Sequence, residues 1–167
     1  RPPIAGWMGH AAPFAFDWEY APAAGTTRFL AGTPPVLAMA ALAVGVELTA
    51  EADMAAVRAK SMAMGDAFIG LVETQLAGHG FEPACPRDAT LRGSQVSFAH
   101  DQGYAIVQAL IARGVVGDFR TPDRLRFGFA PLYNRHAEVW TAVETLRQVM
   151  ESRQWDDPRY RTRAKVT

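Results

Sequence analysis

The stretch Val115-Val116-Gly117-Asp118-Phe119-Arg120-Thr121-Pro122-Asp123-Arg124-Leu125-Arg126-Phe127-Gly128-Phe129-Ala130 decides how this chain folds. Residues 115–120 and 124–130 read as two strands, and Thr121-Pro122-Asp123 between them is turn chemistry. In the second strand Leu125, Phe127 and Phe129 fall on one face, while Arg124, Arg126 and Gly128 fall on the other. One face suits a core and the other is basic. Upstream, Gln95 to His100 alternates in the same way, with Val96 and Phe98 opposed to Gln95 and Ser97, and Phe81 to Cys85 is a further strand candidate. Tyr104 to Arg113 reads as a helix closed by Gly114. A last helix, capped by Asn134 and running to Met150, carries Val139, Val143, Leu146 and Met150 on one stripe. Strands interleaved with helices give a small α/β sandwich, its sheet covered on one side.

The chain before this sheet has another character. Six prolines (2, 3, 13, 22, 34 and 35) fall within the first 35 residues, together with Trp7, Phe14, Phe16, Trp18, Tyr20 and Phe29. Prolines break helix and sheet ladders, whereas aromatics carry much burial energy, so the segment reads as an ordered loop lying on another domain or subunit. Thr33 followed by Pro34 signals a helix start, and the Ala-rich run to Leu48 reads as a buried helix. A second helix is predicted from Ala50 to Ala77, ended by Gly78-His79-Gly80.

The 167 residues hold 17 basic and 17 acidic side chains, so net charge is zero and no whole-protein field draws nucleic acid or an anionic membrane. The longest apolar run, Val36 to Val46, has 11 residues, against the ~20 that span a bilayer. The single cysteine, Cys85, excludes an internal disulfide and favours a reducing, cytoplasmic compartment. His10, His79, His100 and His136 match no metal spacing, and no HExxH, GxSxG, GxGxxG or Walker loop is present. Ser94 and His100 on one strand lie too far apart for a dyad. No self-sufficient catalytic set emerges.

Three local features remain. Gly32-Thr33-Pro34-Pro35 opens a helix, where Thr33 serves either as a cap or as a donor to an anion. Trp7, inside Gly6-Trp7-Met8-Gly9-His10, is either an apolar plug or an exposed indole N–H donor. Arg126, beside Gly128, lies on a solvated strand face or binds a planar carboxylate through two parallel hydrogen bonds.

Taken together, the chain resembles the kynureninases. The resemblance rests on Gly6 to His10, Arg28 to Pro35 (RFLAGTPP), Arg92 to Phe98 (RGSQVSF), Arg113 to Arg120 (RGVVGDFR) and Arg126 to Asn134 (RFGFAPLYN), in the family's order. It implies a pyridoxal-phosphate enzyme of the aminotransferase-like fold type I, hydrolysing L-kynurenine to anthranilate and L-alanine in a homodimer with shared active sites. On this resemblance Trp7 and Thr33 contact the cofactor phosphate, reaching into the partner's site, and Arg126 holds the substrate α-carboxylate. The Gly32-Thr33 pair is similar to that of bacterial members that prefer unsubstituted kynurenine.

The same resemblance divides the chain into residues 1–50, the tail of the large cofactor domain, residues 51–151, the small α/β domain, and 152–167, a basic tail. It also exposes a departure. Of the 17 basic residues only Lys60 and Lys165 are lysines, and neither stands where the family places its Schiff-base lysine. That lysine, the Asp facing the pyridinium nitrogen and the aromatic stacked on the ring would belong to an N-terminal portion. The expectation is a C-terminal portion that supplies binding contacts and is inactive alone. Another fold type I enzyme (a class V aminotransferase or cysteine desulfurase) or a non-catalytic interaction module are the alternatives.

Overall fold

The computed structural model describes residues 3–162. Lys165 and the end of the expected basic tail lie outside them. The chain divides into two compact units, one ending at Ala52 and the other beginning at Asp53.

In the first unit, short 3-10 turns at Trp7–Gly9 and Gly25–Phe29 flank an irregular loop, joined by an isolated bridge between His10 and Pro22. Helix α1 follows, Val36–Ala50. Two expectations are corrected here. Thr33 does not cap the helix, because Pro35 occupies the cap position and no side chain bonds to the helix start; Pro34 also biases Thr33 away from helical geometry. Nor is α1 buried: none of its residues is, and Leu37 is 89 % exposed. Its apolar residues run all round the helix, so no single neighbour could cover them.

In the second unit, the helix predicted from Ala50 instead starts at Met54 as α2 (Met54–Gln75). Asp53 explains the break: its carboxylate accepts hydrogen bonds from the Ala55 and Ala56 amides at 2.9 and 3.3 Å. Gly78 and Gly80, with φ near +84° and +83°, turn the chain away beyond α2. Strands β1 (Glu82–Pro83), β2 (Gln95–Ala99), β3 (Asp118–Arg120) and β4 (Arg124–Gly128) form one sheet in the order β1-β2-β4-β3, every pair antiparallel. Helix α3 (Gly103–Ile111) and α4 (His136–Glu151) complete this small α/β domain.

The strands are shorter than predicted. Residues 115–117 are connection rather than strand, since the Val115 amide donates to the Leu110 carbonyl at 3.0 Å and ties the segment to the end of α3. The cap of α4 is Arg135, not Asn134. Asn134 instead accepts from the Ala130 amide at 2.8 Å and donates to Glu138 at 3.0 Å, closing the turn that precedes the helix. Part of the expected tail is ordered: α5 (Pro158–Arg161) buries Tyr160, and Arg161 pairs with Asp156.

One face of the sheet makes the core. Val96, Phe98, Leu125 and Phe127 pack with Met64, Phe68 and Val72 of α2, Ile106 and Leu110 of α3, and Val143 and Leu146 of α4. Phe68 is its centre, with ring centroids 4.7 Å from Phe127, 5.8 Å from Phe129 and 6.2 Å from Phe98. Arg92, also buried, fastens the loop before β2 by donating to the Pro86 carbonyl at 2.8 Å and pairing with Asp66 of α2.

His100, just past β2, is held neutral. Its Nδ1 accepts the Gln102 amide at 2.9 Å, which leaves Nε2–H to donate to the His79 carbonyl, also at 2.9 Å. Burial pushes its pKa down, opposed by the His79 carbonyl and by Asp101. The unfolded chain therefore takes up the proton more readily than the fold. His100's contribution is complete above about pH 6.5 and is lost as pH falls below that value. The urea midpoint of the chain is expected to be lower at pH 5.5 than at pH 7.5, and His100→Gln to shrink that difference; an equal difference in the variant would refute the assignment. Phe68→Ala is expected to cost about 3–5 kcal/mol of stability, measured by urea unfolding.

Candidate functional site

The first unit brings two of the sequence stretches together. Gly6 packs directly on the Ala31 backbone, and at Gly9 an added Cβ would stand 2.7 Å from the Arg28 carbonyl oxygen and 2.9 Å from that of Leu30. Only glycine permits so close an approach of two backbones. The turn is also fixed by the Ala23 amide donating to the Gly9 carbonyl at 2.9 Å and by the Tyr20 hydroxyl donating to the same oxygen at 3.0 Å. His10 belongs to this scaffold, accepting the Ala12 amide at Nδ1 (2.9 Å) and donating from Nε2 to the Glu19 carbonyl (3.2 Å).

Trp7 follows Gly6 and Thr33 lies two residues beyond Ala31, so their Cα atoms fall within about 15 Å of each other. Neither the Trp7 indole N–H nor the Thr33 hydroxyl has a hydrogen-bond partner among the described residues. Trp7 is 48 % exposed, with its ring edge-on to Phe14. It lines a cavity of about 520 Å³ together with His10, Pro13, Phe16, Trp18 and Tyr20. Trp18 is fully exposed and Phe16 82 % exposed. Both donors are open and unused.

In the second unit Arg126 sits mid-strand in β4, opposite Ser97 of β2 on one side and Asp118 of β3 on the other. The three residues form a row across the polar face of the sheet. Arg126 Nη2 donates to Asp118 Oδ2 at 2.5 Å, and Arg120 Nη2 stands 3.4 Å from the same oxygen. The Arg126 side chain is 30 % exposed, and its Nε is buried with no hydrogen-bond partner. Nothing lies within 4 Å of the place a Cβ would take on Gly128, so the face beside Arg126 is open. Arg124 is occupied separately, 3.1 Å from Asp123.

Asp118 was not singled out by pattern, although the register contains it. A three-residue turn that pairs Arg120 with Arg124 necessarily sets Asp118 opposite Arg126. Lys60 donates to the Pro131 carbonyl at 2.7 Å and ties α2 to the loop after β4.

A four-stranded antiparallel sheet under three helices, with an arginine on its open face, makes the second unit a small α/β domain. Residues 57–146 match the family model described as the kynureninase C-terminal domain. Proteins named Kynureninase from Burkholderia mallei (strain SAVP1) and Burkholderia pseudomallei (strain K96243) are each 50 % identical over 165 residues, 99 % of this chain and 40 % of their own length. One from Pseudomonas fluorescens is 44 % identical over the same span. The chain belongs to the kynureninase family. It spans 40 % of the length of these relatives.

Gly9→Ala is expected to part the two backbones of the first unit, seen as faster tryptic cleavage at Arg28. An unchanged cleavage rate would show that the turn tolerates a methyl group.

Proposed function

We propose that this chain is the C-terminal part of a kynureninase of fold type I, a cytoplasmic homodimer that hydrolyses L-kynurenine to anthranilate and L-alanine with pyridoxal phosphate. The observation that carries this reading is a likeness to kynureninases that runs through both units, over 165 residues. On this reading the donors of the first unit and the guanidinium of the second belong to one inherited set.

The residues present suit the ends of cofactor and substrate. A phosphate is bound by N–H and O–H groups not already engaged, and the Trp7 indole and Thr33 hydroxyl are of that kind. In the proposed dimer both reach into the partner's site. Pyridoxal phosphate, when bound, supplies the electron sink for bond cleavage. Arg126 takes the substrate α-carboxylate, and its fixed planar fork sets the orientation of the amino acid before any bond breaks. The resemblance assigns the Schiff-base lysine to the preceding portion of the enzyme, and Lys60 instead donates to the Pro131 carbonyl. On this reading the 167 residues alone do not turn over kynurenine.

Joined to that preceding portion and supplied with pyridoxal phosphate, the protein is expected to release anthranilate from L-kynurenine, followed by its fluorescence. No anthranilate would sink the proposal. In that enzyme Arg126→Ala is expected to raise KM by roughly 30-fold or more, about 2–4 kcal/mol for a lost bidentate pair; an unchanged KM would refute the carboxylate role.

A further inference from the structure

We propose that Asp118 is a positioning residue for Arg126, holding the guanidinium in the one orientation that presents its free donors to the substrate carboxylate. The inference rests on the carboxylate role given to Arg126 above.

An arginine side chain has several rotatable bonds, and a bidentate contact needs the fork fixed in advance. Among the described residues Arg126 has one hydrogen-bond partner, Asp118, through Nη2 at 2.5 Å. Ser97, its neighbour on the other side, makes no hydrogen bond to it; the Ser97 hydroxyl instead accepts from Gln95 at 3.3 Å. The orientation of the guanidinium therefore depends on a single carboxylate.

That carboxylate leaves donors to spare. Nη2 carries two hydrogens, of which Asp118 engages one, and Nη1 makes no bond within the described residues, so the Nη1/Nη2 edge is the one left to a ligand; Nε is buried. The arrangement also preserves the attraction for an anion. Arg120, 3.4 Å from the same Asp118 oxygen, offsets the acidic charge, so the trio keeps a net positive charge. Asp118 thus orients Arg126 without cancelling it.

The test compares Asp118→Asn, Asp118→Glu and Arg126→Ala in the full enzyme, using L-kynurenine and its α-carboxamide, which lacks the anionic group. Asp118→Asn is expected to raise KM for kynurenine about tenfold, with kcat within about twofold and kcat/KM for the carboxamide nearly unchanged. Asp118→Glu, which keeps the charge, is expected to recover part of the loss. If Asp118→Asn leaves the kynurenine KM unchanged while Arg126→Ala raises it, the positioning role is overturned and the carboxylate role of Arg126 stands. If both substrates lose equally, Asp118 serves the fold alone and the inference also fails. An Arg126→Ala enzyme with normal KM would remove the carboxylate reading itself, and the inference with it.

Discussion

The register of β3 against β4 is the constraint on which the second unit depends. With Arg120 opposite Arg124, Phe119 must face Leu125 and Asp118 must face Arg126. Because side chains alternate with a period of two, the same pairing sends Leu125 and Phe127 into the core and Arg126 to the open face. A slip of one residue would exchange the faces. With β4 held by five pairs to β2, it is β3 that would turn over, carrying the Asp118 carboxylate to the core side and Phe119 to the open face, and an uncompensated buried charge costs several kcal/mol. The core and the arginine row are therefore selected together. Neither could be altered by register without destroying the other.

The first unit is ordered by different means. Of its described residues only Gly9 and Ala23 are buried, so apolar burial contributes little to it. Backbone hydrogen bonds hold it instead: Ala11 to Ala21 at 2.7 Å, Ala23 to Gly9 at 2.9 Å, and the turns at Trp7–Gly9 and Gly25–Phe29. Such bonds each contribute only about 1 kcal/mol net. The glycines at 6 and 9 matter here more than any apolar side chain, because they set the distance between the two stretches that carry Trp7 and Thr33.

This contrast explains what the sequence made legible. Strands β2 and β4 and helices α2, α3 and α4 could be placed by periodicity, because one-sided burial imprints alternation on the strands and stripes on the helices; α5, in what reads as a basic tail, could not. The errors lie where a local polar contact overrides the pattern. Asp53 starts α2 later than its apolar residues indicate, and Asn134 closes a turn although its residue type suits a cap. Helix α1 reads as buried because its composition is apolar all round, but composition states a need for cover without saying what meets it. In the candidate site, alternation places Arg126 beside Gly128 on the polar face, but only the resemblance to the kynureninases gives it a carboxylate role. Asp118 required the register, a relation between two strands that neither strand displays by itself.

The two arginines on the open face show why pattern alone could not choose between them. Arg124 and Arg126 share the alternation that sets both opposite the face of Leu125 and Phe127. Arg124 lies at the end of β4, beside the turn, and is 43 % exposed with Asp123, its sequence neighbour, as partner. Arg126 lies two residues further in; both arginines pair with β2 and β3, but the ion-pair partner of Arg126, Asp118, comes from across the sheet. An ion pair between adjacent residues at a strand end is solvated and orients little. A partner on a paired strand is fixed by the ladder itself, so its carboxylate can define a direction for the guanidinium. The carboxylate contact proposed for Arg126 on the family resemblance accords with this: of the two cations, Arg126 is the one whose ion-pair partner the sheet ladder fixes.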